Sequence, residues 1–158
     1  MLCSNDTGKT FTKTQLKLKN GGNLDGRGCG ERLAVDPNLG SILFLAGSGW
    51  DFSKDGTFQA RYRGSLWKST DNGRSFDSLA AGPKGNGLFI LFDPSNGTTG
   101  NATQTIYAGY DSSNGGAAAL WRSKDGGATW AMVPGQPTGL IPTSGCINGQ
   151  YAYFSFNN

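Results

Sequence analysis

Acid–base chemistry in this chain falls to its carboxylates, because the 158 residues include no histidine. That absence excludes a Ser-His-Asp triad and any histidine-ligated metal within the chain. Eleven carboxyl groups remain. Two of them, held as an acid and a base, could protonate a leaving group and activate a water. Asp6, Asp71 and Asp125 are set apart by a shared pattern, Ser-x-Asp-x-Gly-x-Ser/Thr-aromatic, known as the Asp box. An aspartate in that pattern accepts hydrogen bonds from the backbone of its own turn. Gly8, Gly73 and Gly127 supply a positive φ that a side chain would resist. Identical acids at every repeat cannot all occupy one active site, so these three are read as structural staples. Asp36 and Asp93 each precede a proline and favour turn initiation. Asp77 follows a box aromatic on an outer strand. Asp25, Glu31, Asp51, Asp55 and Asp111 remain on loops, with Glu31 and Arg32 a candidate ion pair. No catalytic residue is assigned among them, and no metal site.

Aromatic residues offer a different chemistry, that of flat apolar faces. Trp50, Phe52, Phe58 and Tyr62 crowd one polar loop, and Tyr110 begins another. Aromatics exposed on a polar loop point to ligand binding. Trp67, Trp121 and Trp130 recur at equivalent repeat positions and are read as core. Charged residues make up 16% of the chain and the net charge is +3, with no run of Lys or Arg. That pattern argues against nucleic acid and fits a neutral, polar ligand. Cys3, Cys29 and Cys146 form no Cys-x-x-Cys pair, and their odd number leaves at least one thiol unpaired in the chain. No cofactor is implied. No apolar run approaches the roughly 20 residues that span a bilayer, so no membrane partner is expected. Met1-Leu2-Cys3 leads straight into polar sequence, which is not the form of a signal peptide. Three sequons, at Asn5, Asn96 and Asn101, are compatible with a secretory context.

The elements that must position these residues come from a repeat. Leu66-Trp67-Lys68-Ser69 matches Leu120-Trp121-Arg122-Ser123, and Leu33-Ala34-Val35-Asp36-Pro37 matches Ile90-Leu91-Phe92-Asp93-Pro94. Each unit reads strand A, Asp-Pro turn, strand B, longer loop, strand C, box, strand D. Four short strands at a period near 50 residues describe a β-propeller blade. The expected fold is all-β. Residues 1–16 hold the end of a blade, 30–80 and 86–134 two full blades, and 139–158 the start of another. Tyr151-Ala152-Tyr153-Phe154 is the second strand of that last unit. Two whole blades and two partial ones cannot close a ring, since propellers need roughly four to eight. The remaining blades are therefore expected from a larger parent protein or from other chains. Propeller topology puts the D–A and B–C loops on one face, the usual ligand face, and the boxes on the other.

One stretch is more specific than the boxes. Gly21-Gly22-Asn23-Leu24-Asp25-Gly26-Arg27-Gly28-Cys29-Gly30-Glu31-Arg32-Leu33-Ala34-Val35-Asp36-Pro37-Asn38 resembles a signature of glycoside hydrolase family 74, the xyloglucanases. Ala102-Thr103-Gln104-Thr105-Ile106-Tyr107 and Trp121 through Gly139 are similar to the same family, in the same order. The resemblance implies part of the first of two seven-bladed propellers in a secreted enzyme that cleaves xyloglucan or a related β-glucan of plant cell walls. It implies inverting hydrolysis, which needs two carboxyl groups about 6.5–9.5 Å apart. No stretch here matches the family's catalytic motifs, so the chain alone is expected to be inactive. Asn23, Arg27, Trp50, Asp51 and Tyr62 become the candidate substrate-binding residues, since sugars stack on aromatic faces and bond through hydroxyls. The loop from Gly49 to Arg63 is longer than the family linker expected there, which leaves endo or exo attack open. The alternative reading is a non-catalytic carbohydrate- or protein-binding propeller. A sialidase would need an arginine cluster and a tyrosine nucleophile, for which there is no motif.

Overall fold

The computed structural model describes residues 2–14, 32–52, 57–112 and 116–158, with the backbone alone for Leu45 and for residues 47–52 and 58–65. Among the described residues every regular element is a β-strand. β1 (Leu2–Cys3) pairs with β2 (Thr12–Lys13) as a two-stranded sheet. β3 (Leu33–Val35), β4 (Leu43–Phe52), β5 (Phe58–Ser69) and β6 (Asp77–Ser78) form a four-stranded antiparallel meander. β7 (Asn86–Phe92), β8 (Ile106–Asp111), β9 (Ala119–Ser123) and β10 (Ala131–Met132) form a second. β11 (Ile141–Asn148) and β12 (Tyr151–Asn157) close the chain as a hairpin. Strand order follows chain order in each sheet, and the sheets stack face to face as the blades of a β-propeller do.

Alternating side chains hold the stack together. Phe44, Ala46 and Leu66 on the first meander pack against Ile90, Phe92, Ile106, Ala108 and Tyr110 on the second. Phe44 and Phe92 meet edge to face at 5.7 Å, the favoured aromatic geometry. A second cluster, built on Leu88, Phe89 and Leu120, receives Phe154 and Phe156 of β12. β3, β7 and β11 lie side by side, and Leu33, Val35, Ile90, Phe92 and Ile147 line the groove between them. That groove is where the central channel of a propeller runs. Trp121 and Trp130, expected as core, are partly buried and pack on the edge of the first cluster. Trp67 is half-buried as well.

The largest departure from expectation is the segment from Gly49 to Arg63. It is not a loop. β4 and β5 continue through it as a hairpin, with Gly49 opposite Tyr62, Trp50 opposite Arg61 and Asp51 opposite Ala60. Irregularities between Gly47 and Gly49, and between Asp51 and Phe52, bend the pairing, as bulges do. The equivalent strands of the second meander stop at Asp111 and begin at Ala119. Among the described residues, the β4–β5 pairing thus extends further than the β8–β9 pairing, as an arm.

Candidate functional site

The three box turns share one geometry. Ser4, Ser69 and Ser123 donate to Oδ1 of Asp6, Asp71 and Asp125 at 2.7, 2.8 and 2.7 Å. The same hydroxyls accept from the backbone N–H of Gly8, Gly73 and Gly127 at 2.8, 2.9 and 2.8 Å. Oδ1 also accepts the N–H of Thr10, Ser75 or Thr129, and Oδ2 accepts the hydroxyl of that residue. These donors favour the charged form and hold each carboxyl down to about 2, led by the Thr or Ser hydroxyl. A general acid must hold a proton near neutral pH, and these groups do not. Both oxygens of each carboxylate serve the turn. Two successive residues take positive φ: Thr7 and Gly8, Asn72 and Gly73, Gly126 and Gly127.

The boxes also link sheet to sheet. Cys3 Sγ approaches the carbonyl of Asn72 at 3.7 Å, and Lys68 Nζ donates to the carbonyl of Gly126 at 3.2 Å. Gly127 lies against Phe44 of the preceding sheet: a Cβ there would come within 2.6 Å of the ring. Asp36 makes the strongest such link. It is 1% exposed. Its carboxylate caps its own turn through the N–H of Asn38 and Leu39 at 2.9 and 3.2 Å. It also accepts the N–H and hydroxyl of Thr103, on the next sheet, at 2.7 and 2.6 Å. The expectation of a simple Asp-Pro turn missed this second role. Asp93, in the same motif, bonds Ser95 instead and stays partly exposed.

Three of the candidate binding residues fall on one element. Trp50, Asp51 and Tyr62 all lie on the β4–β5 arm, which projects from the end away from the boxes. Asn23 and Arg27 fall outside the described residues, as do Asp25, Glu31, Asp55 and Cys29, so the Glu31–Arg32 pair is not described. Asp111 stands at the end of β8, where Asn86 Nδ2 donates to its Oδ2 at 3.3 Å. Tyr110 is corrected outright. It faces the inter-sheet core with no exposure, and burial pushes its phenol above the ordinary tyrosine range. Strict alternation with Ile106 and Ala108 puts it there. Gln136 was not singled out by its sequence. Its side chain takes the place of an absent strand partner, accepting from Leu120 N–H at 2.6 Å and donating to the carbonyls of Leu120 and Val133. Among the described residues no group of three or more His, Cys, Asp or Glu could hold a metal.

Stacked four-stranded antiparallel meanders with box turns at one end define part of a β-propeller. No protein-family model matches the chain. A xyloglucanase of a Paenibacillus species is 38% identical across the whole chain, and one of Acetivibrio thermocellus is 39% identical over 93% of it. A xyloglucanase of Hypocrea jecorina is 34% identical over 88%. The crystal structure of the family 74 xyloglucanase of Xanthomonas campestris superposes with a TM-score of 0.75 at 32% identity, covering 98% of this chain. The stretch belongs with the xyloglucanases of glycoside hydrolase family 74. It spans only 16–18% of the length of the first two relatives and 22% of the solved structure.

Proposed function

We propose that this chain forms part of the substrate-binding propeller of a secreted xyloglucan-hydrolysing enzyme and holds no complete acid–base pair of its own. The observation that carries the reading is sequence identity near 38% to xyloglucanases along the whole chain. Among the described carboxylates, Asp6, Asp71 and Asp125 are committed to turns and Asp36 to an inter-sheet link. The β4–β5 arm supports a binding role: its Trp50, Asp51 and Tyr62 lie at the end away from the boxes. In this reading Trp50 and Tyr62 stack on glucan rings, while Asp51, Asn23 and Arg27 bond hydroxyls. The parent protein supplies the remaining blades, the acid and the base.

A reducing-sugar assay tests the catalytic half. Purified chain incubated with xyloglucan should release no more reducing ends than buffer. Release that disappears in Asp25→Asn or Glu31→Gln would contradict it, because the pair would then be encoded here.

A further inference from the structure

Two of the three sequons share one loop. Asn96-Gly97-Thr98 and Asn101-Ala102-Thr103 both fall between β7 and β8. The N–H of Gly126 donates to the carbonyl of Gln104 on that loop at 2.9 Å, so the loop adjoins the third box turn. It lies at the end away from the β4–β5 arm. Both asparagines are exposed.

The hydroxyls that complete the two sequons are not alike. Thr98 is exposed, and its Oγ1 accepts from Asn101 Nδ2 at 2.9 Å. Thr103 is 1% exposed. Its hydroxyl donates to Asp36 Oδ1 at 2.6 Å and accepts from Asn38 Nδ2 at 2.8 Å, and its N–H donates to Asp36 Oδ2 at 2.7 Å. The N–H of Gly100 bonds the carbonyl of Asn38 at 2.8 Å, which holds the chain between the sequons against the first meander. An asparagine of this triplet is an acceptor only while the transferring enzyme can engage the hydroxyl of the third residue. Thr98 offers that hydroxyl in the folded chain. Thr103 is committed to the link between sheets and offers its own only before the link closes, or in a local opening.

We infer that Asn96 and Asn101 are N-glycosylation sites of different timing: Asn96 is open to the transferase in the folded chain, and Asn101 only before the first and second meanders join. The inference rests on the proposed secretion of the parent protein, which exposes the chain to such transferases. In the step, Asn Nδ2 attacks C1 of an oligosaccharide carried on a lipid diphosphate. The Nδ2–C1 bond forms and the bond from C1 to the diphosphate oxygen breaks. The lipid diphosphate leaves, and Nδ2 gives up one proton. The amide keeps its second N–H, so a glycosylated Asn101 still donates to Thr98. Because both side chains are exposed, a glycan at either position leaves the Asp36–Thr103 link intact.

Transfer in vitro tests this without xyloglucan and without secretion, so its failure leaves the proposed function standing. The purified 158-residue chain and a synthetic peptide of residues 94–106 are each incubated with a single-subunit oligosaccharyltransferase and a lipid diphosphate-linked oligosaccharide. Mass spectrometry with peptide fragmentation reads each site. The peptide has no Asp36 and should be modified at both asparagines. In the chain Asn96 should still be modified, while the ratio of Asn101 to Asn96 modification should fall by at least about tenfold, as for a site reached only through local opening. Asn96→Gln, at an exposed position, should leave Asn101 of the chain equally slow. If Asn101 becomes fast in that variant, crowding by the first glycan is the cause and the proposal is overturned. Equal ratios in chain and peptide overturn it, as does a chain unmodified at Asn96 or a peptide unmodified at Asn101.

Discussion

The aspartates of the three box turns contribute to stability through their protonation. Each folded carboxyl sits at about 2, against 3.8 for the ordinary group. The unfolded chain therefore binds protons more readily than the folded one. The stability these groups add is complete above about pH 4 and is lost as pH falls through about 2. Urea midpoints measured from pH 5 down to pH 2 should fall across that window, and Asp71→Asn should flatten part of the fall. Thr7 offers a gain instead. It is β-branched at a φ of 57°, a conformation that asparagine tolerates far better. Asn72 occupies the same turn position at 60°. Thr7→Asn should stabilise by about 1 kcal/mol, read by thermal denaturation. Removal of the buried Asp36 carboxylate by Asp36→Ala leaves Thr103 without its acceptor. It should cost on the order of 2–3 kcal/mol, and only a part of that penalty should be absent when Thr103→Val is already in place, because the N–H groups of Asn38, Leu39 and Thr103 still lose their acceptor. These residues differ in how visible they were beforehand. Every partner of a box aspartate lies within four positions, so pattern and local stereochemistry reveal it. Thr103 lies 67 positions from Asp36, and nothing local announces that link.

At the scale of elements, the inter-sheet core rests on few residues. Phe44 touches Phe92, Gly127 and the ammonium of Lys68, which stands 5.4 Å from its ring centroid. Phe44→Ala should destabilise by about 3–5 kcal/mol in chemical denaturation. The repeat pattern made these strands legible, because period-two alternation and the box turns mark where each begins and ends. It misled at two points. Tyr110-Asp111-Ser112 reads as a polar loop, yet the alternation of Ile106 and Ala108 continues through Tyr110 and buries it. The segment around Trp50 is rich in Gly, Ser and Asp, and that composition hides a hairpin whose pairing comes from continuing the strands below it. An arm that extends an existing ladder needs no strong strand propensity of its own. A variant with Trp50–Arg61 replaced by a short Gly-Asn turn should keep its thermal midpoint within a few degrees and lose affinity for glucan.

At the scale of the whole molecule, the stacked sheets set two ends apart. One end is locked by boxes and by the Asp36–Thr103 link; the other carries the arm. The architecture and its family were both legible from the repeat and from the Gly21–Asn38 stretch. The proposed binding face was less so: aromatics on a polar stretch pointed to Trp50 and Tyr62, but the paired strands that carry them have no counterpart in the repeat to announce them. The proposed function requires this stretch to bind xyloglucan through the end away from the boxes. Affinity electrophoresis of the 158-residue chain in gels containing xyloglucan tests it most directly. Retarded migration is expected, weakened in Trp50→Ala and unchanged in Lys124→Ala on the box end. Migration of the unaltered chain that is the same with and without xyloglucan would contradict it.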